Sequence, residues 1–147
     1  MTRVDFYVLP EDSPDDALAT ACRLCEKAVG AGKKVHVHAP DGDTAAEFDR
    51  LLWIYKQGGF IGHQRAGVAN PELASVLIGG DAPLSSHRDV MLNLGTAVPP
   101  FFEQFERVLE IVAGDAATRG KSRERFKFYR DKGCAPETHK LVPGEAA

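Results

Sequence analysis

The sixteen residues Thr118–Gly133, TRGKSRERFKFYRDKG, hold seven Lys or Arg against two acids, in a chain that is otherwise acidic. The full 147 residues carry 18 Lys+Arg and 21 Asp+Glu, so the net −3 divides into +5 in this segment and −8 elsewhere. Charge placed this way governs association and steering rather than fold. The segment has no Pro and one internal Gly, so it can form a helix. At about 100° per residue, Arg119, Arg123, Phe126, Lys127 and Arg130 fall within about a third of the circumference. Guanidinium groups beside a ring suit a ligand that is anionic and carries an apolar end, because Arg pairs bidentately with carboxylates. A solvated helix face, or cations placed to suit a helix C-terminus, has the same appearance, and the pattern leaves both open.

Other residue types that could do chemistry are less well arranged. His36 and His38 alternate on one strand and could share a metal with His63 or Asp41, although histidines on the solvated face of an edge strand are commoner. Ser85, Ser86, His87, Arg88 and Asp89 supply the residue types of a hydrolase, but neighbours on a strand point to opposite faces and cannot assemble a triad locally. Cys22 and Cys25 form a C-x-x-C pair inside the apolar periodicity of a helix. A redox pair sits instead at a helix N-terminus, and a zinc site needs a second pair, so both read as small core residues. Gly30-Ala31-Gly32-Lys33 has a phosphate-loop look, yet Lys27 stands at the first Gly position, Lys34 at the Ser/Thr position, and the segment leaves a helix. It reads as a helix C-cap. The stretch Leu9–Asp15 after the first strand has no Gly and carries Glu11, Asp12 and Asp15, which would repel a pyrophosphate. No metal, cofactor or catalytic set is expected.

The elements that must position the basic helix are short, β-branched apolar runs separated by helical patterns, which is α/β patterning. Strands are expected at Arg3–Val8, Lys34–His38, Ala74–Ile78, Val90–Leu94 and Phe105–Val112. Helices are expected at Pro14–Ala31, Asp43–Tyr55 and Asp115 to about Lys132. Phe60–Leu73 reads as a loop, Gly79–His87 as turn-rich, and the segment beyond the last helix as a Pro-containing tail. The expectation is a mostly parallel sheet flanked by helices, Rossmann-like without a nucleotide site, forming one domain over residues 1–141 with a flexible tail at 142–147. A 44% apolar fraction suits a globular chain, no run is long enough for a membrane span, and the first residues do not resemble a signal peptide, so a cytoplasmic location is expected. Trp53 at the end of the second helix and Phe60 after Gly58-Gly59 are either core caps or interface anchors.

Taken together, VDFYVL at the start, LLW and GGFIGH in the middle, SSHRDVMLNL, and RERFKFYR followed by a nearby Gly resemble the chi subunit family of the bacterial DNA polymerase III holoenzyme, a component of its clamp loader. The matches run nearly end to end, and the RERFKFYR string is the most specific. The resemblance implies a non-enzymatic adaptor that binds the acidic C-terminal tail of single-stranded DNA-binding protein and also the psi subunit. It implies tail-binding roles for Arg119, Arg123, Phe126, Lys127 and Val112, and psi-binding roles for Trp53 and Phe60, a surface that could also serve a helicase-like repair protein. Two positions depart from the family pattern: Phe126 stands where Tyr is usual, and His139–Leu141 stand where an aromatic is kept. A nucleotide-dependent enzyme on the same fold and a direct single-stranded nucleic-acid binder are the competing readings. The −8 outside the helix opposes the second, because broad phosphate binding needs a broad basic surface.

Overall fold

The protein is described by a computed structural model, covering residues 2–9, 17–54, 63–65, 75–79, 87–113 and 116–141; for residues 53, 54, 63–65 and 117 it describes the backbone only. In chain order the elements are β1 (Arg3–Val8), α1 (Ala17–Gly30), β2 (Val35–His38), α2 (Gly42–Ile54), β3 (His63–Arg65), β4 (Val76–Gly79), β5 (Val90–Asn93), β6 (Arg107–Val112), α3 (Ala116–Asp131) and β7 (Glu137–Lys140). A 3₁₀ turn at Phe102–Gln104 precedes β6. Among the described residues the seven strands form one sheet in the order β3-β4-β2-β5-β6-β1-β7. Every pairing is parallel. The expected α/β class with a parallel sheet is therefore what forms.

Two strands depart from the sequence expectation. β3 lies inside what reads as a loop, and β7 inside what reads as a tail. They are the two edges of the sheet, and their sequences, HQR and ETHK, carry no apolar alternation. Alternation reports burial of a strand face, whereas an edge strand is held largely by its backbone ladder. The histidines are a second correction. β2 is a central strand between β4 and β5, not an edge. His36 is buried with its ring against Phe105 (5.6 Å between centroids) and Phe101 (5.9 Å). His38 also meets Phe101, and burial pushes its pKa down, so it stays neutral. Asp41 has a structural part: its Oδ1 accepts the Thr44 N–H (2.7 Å) as the N-cap of α2.

Alternation along the central strands sorts side chains into two cores. Val35, Val37, Val90, Leu92, Leu109 and Ile111 face α1 and α2 and pack with Cys22, Cys25, Phe48 and Leu52. Val4, Phe6, Met91, Val108 and Val112 face the other way and pack with Phe102, Phe105 and Tyr129. Both cysteines are thus core residues, as their spacing implied, and burial pushes the Cys25 thiol far up, so no thiolate forms there. The end of α1 is the expected C-cap: Gly32 takes φ +81°, and the Gly32 and Lys33 N–H groups return to the Val29 and Ala28 carbonyls. Of the hydrolase-like residue set, Ser85 and Ser86 lie outside the described residues. His87 is buried, Arg88 is exposed, and the Asp89 carboxylate accepts the Lys34 N–H.

At the β1–β7 edge, Asp5 sits on the α1 side of the sheet. Its side chain is buried and it accepts from Arg107 Nε (2.7 Å), while its other oxygen meets His139 Nε2 (2.9 Å). Burial opposes its ionisation, but the His139 and Arg107 hydrogen bonds and the charges of Arg107 and Arg3 outweigh that and hold the carboxyl below its ordinary value of 3.8. A depressed carboxyl contributes stability that is present above the unfolded pKa and lost as pH falls through the folded one. Urea unfolding is therefore expected to show stability falling as pH drops below about 4, with a shallower fall in Asp5→Asn; an equally steep fall in the variant would contradict this assignment.

Candidate functional site

The helix that carries the basic stripe is fixed by a polar contact on its opposite face. Glu110 points from β6 toward α3 and is fully buried. It accepts from Arg125 Nε (3.0 Å), Tyr129 Oη (2.6 Å) and Asn93 Nδ2 (2.9 Å). Arg125 also donates through Nη1 to the Thr96 carbonyl. Burial pushes the Glu110 carboxyl up, and Arg125, Tyr129 and Asn93 pull it back. Burial and the adjacent carboxylate drive the Tyr129 hydroxyl well up, so it remains a protonated donor. Ser122, Arg125 and Tyr129 repeat at helical spacing and are all buried. They define the inward face, and α3 then stops where Gly133 takes φ +91° and the Cys134 N–H returns to the Tyr129 carbonyl.

With that face fixed, Arg119, Arg123 and Phe126 come round to the β1–β7 side. They line a hollow of about 180 Å³ whose floor is Phe6, Val8 and Val112 and whose remaining wall is Ser122 and Thr138. Phe126 stacks at a tilt on Phe6, 5.4 Å between centroids, which closes one side with aromatic surface. Arg119 is partly buried, and its Nη2 donates to the Leu9 carbonyl at 3.0 Å, which holds its side chain near the end of β1. Arg123 is exposed one turn further on. The result is an apolar socket with guanidinium groups at its mouth.

Four of the five residues expected to bind a peptide tail, Val112, Arg119, Arg123 and Phe126, line this one hollow. Lys127 is exposed beside it and is not part of the wall. Trp53 lies in the last turn of α2, known by backbone alone, and Phe60 lies outside the described residues. Sequence reasoning did not find Phe6, Val8, Ser122 and Thr138. The alternation of RVDFYV places Phe6 and Val8 on one face and could have flagged them; Thr138 gives no signal, because nothing in ETHK marks a strand. That strand nonetheless supplies part of the wall through Thr138, while His139, Lys140 and Leu141 do not line the hollow. Arg125, one of the seven basic residues of the segment but not of the stripe, is buried and structural.

An all-parallel open sheet with a lined hollow at the carboxyl ends of β1 and β6 defines an α/β domain of Rossmann type, with its candidate ligand site at the strand ends where such sheets place them. The C-terminal domain of a Saccharomyces cerevisiae Dbp5 variant, solved bound to a Gle1 variant and IP6, overlays with a TM-score of 0.59 over 93% of this chain and 90% of that one, at 11% identity, a likeness of fold. The model of the family described as DNA polymerase III chi subunit, HolC, matches residues 1–137. The DNA polymerase III subunit chi of Pseudomonas aeruginosa is 40% identical over 141 residues, covering 96% of this chain and 98% of that protein. Those of Haemophilus influenzae and Escherichia coli are 30% and 29% identical over 87% and 90% of the chain. The chain belongs to the DNA polymerase III chi subunit family. Among the described residues no helix is long and apolar enough to cross a membrane.

Removing one partner of a buried, hydrogen-bonded charge strands the other. Glu110→Ala is expected to cost about 3–5 kcal/mol in urea unfolding, whereas Arg50→Ala, which breaks the exposed pair with Glu47, should cost no more than about 1 kcal/mol. Similar losses for the two would mean that α3 is not anchored through Glu110.

Proposed function

We propose that this protein is a non-catalytic adaptor of the replicative polymerase that holds the acidic C-terminal tail of single-stranded DNA-binding protein in the hollow under α3. The observation that carries this reading is the convergence of Arg119, Arg123, Phe126 and Val112 on one small socket. A peptide that ends in a hydrophobic residue and a free carboxylate needs an apolar hole with a guanidinium at its rim. Arg123 supplies the exposed cation, Phe126, Phe6 and Val112 receive the side chain, and Lys127 adds charge for acids further up the peptide. Phe126 offers no hydroxyl, so its part is apolar contact. Binding of this kind weakens with added salt and releases readily, which suits a handoff.

The other end of the bridge is assigned to the psi subunit through Trp53 and Phe60, large rings of the kind that anchor interfaces. Trp53 ends α2, on the far side of the sheet from α3, so the two partners would not compete for surface.

In a fluorescence titration with a labelled acidic peptide ending in a hydrophobic residue, Arg123→Ala is expected to weaken binding by about tenfold or more with an unchanged melting temperature; undiminished affinity would remove the site. Trp53→Ala and Phe60→Ala should leave peptide binding intact and weaken capture of psi in a pull-down. Loss of both activities together would point to unfolding instead.

A further inference from the structure

The hollow is too small for more than the end of a peptide, and its outer wall, Thr138, belongs to the edge strand β7. The Leu141 N–H donates to the Val8 carbonyl (2.9 Å). By alternation, the backbone N–H and C=O groups of Thr138 and Lys140 point away from β1. Among the described residues no strand pairs with this side of β7. An edge of this kind is a template for another chain. Lys140 pairs in register with Val8, and Thr138 with Phe6, so Lys140 stands on the same face as the hollow. The chain returns from β6 to β7 through α3, so the helix runs antiparallel to the strands. Arg123 lines the hollow, and the exposed cations that follow it on the helix, Lys127 and Arg130, therefore stand progressively further from the strand ends.

We propose that the residues preceding the peptide's terminus add to β7 as a further parallel strand, with their acidic side chains lying toward Lys127, Arg130 and Lys140. This rests on the reading of the hollow as the site for the peptide's carboxyl end and extends it to the next residues of the same ligand. Charge complementarity and the open backbone groups act together here: the ladder gives affinity that is indifferent to side chain, and the cations select an acidic one. A parallel direction places the ligand's carboxyl end at the carboxyl ends of β1 and β6, where the hollow lies.

The test compares acidic peptides sharing one C-terminal hydrophobic residue, by isothermal titration at fixed salt. A three-residue and an eight-residue peptide are measured first, then two eight-residue peptides N-methylated at alternate upstream amides, one set in each register. The eight-residue peptide is expected to bind about tenfold more tightly than the short one. One N-methylated register should lose that gain and the other keep it. Lys140→Pro, which removes an outward N–H at an edge position that tolerates proline, should abolish the gain, while Lys140→Ala reduces it only in part. Equal binding by both N-methylated peptides and the unmodified one overturns strand addition and leaves the hollow standing. Failure of both the short and the long peptide to bind overturns the hollow and this inference together.

Discussion

The orientation of α3 depends on one carboxylate. Glu110 is the one acid in the strand RVLEIV, flanked on both sides by apolar residues, and it draws Arg125, Tyr129 and Asn93 to a single point beneath the helix. An apolar contact would bury the helix without choosing its rotation, since sliding by one residue costs little when every neighbour is aliphatic. A charge with three donors chooses. Rotating α3 by about 100° would strand Glu110 and turn Arg119 and Arg123 off the β1–β7 side. The stability that a buried ion pair adds over an apolar substitute is small; what it contributes here is the direction in which the outer cations point.

The sheet topology does the rest of the positioning. Parallel pairing throughout sends every strand's carboxyl end to one side, and the crossover through α3 lays the helix over β1 and brings β7 beside it. The socket is thereby assembled from β1, β6, α3 and β7, with the arginines on the helix turn nearest the strand ends. Phe6 and Phe126 give it an aromatic floor and wall, so the charged rim lies beside apolar surface. Asp5, on the opposite face of the same strand, ties Arg107 and His139 across β6, β1 and β7 and holds the edge strand that forms the wall.

Much of this was legible in the sequence because the relevant signals are local. The apolar runs at Val35–Val37, Val76–Ile78, Val90–Leu92 and Val108–Val112 mark central strands, and the segregation of charge marks α3. Arg119, Arg123 and Phe126 were found together because helical spacing puts them together. The two edge strands were not legible, since HQR and ETHK carry no periodicity and are held by backbone pairing. His36 and His38 misled for a related reason: a polar alternation suggested a solvated edge, but aromatic rings from the 3₁₀ segment cover that face of a central strand. Arg125 read only as one more cation of a basic segment, because its partner lies 15 residues away in sequence and no short-range pattern couples them.

The walls of the socket come from opposite ends of the chain, Phe6 and Val8 from the first strand and Thr138 from the last described one. A growing polypeptide therefore has no complete hollow until residue 138 has emerged from the ribosome, even though most of the sheet can already pair. A fragment ending at Val112 would keep six of the seven strands and lose the arginines, the ring and the wall together. The hollow is in this way among the last features of the fold to form, closed only when the first strand and the last described one lie side by side.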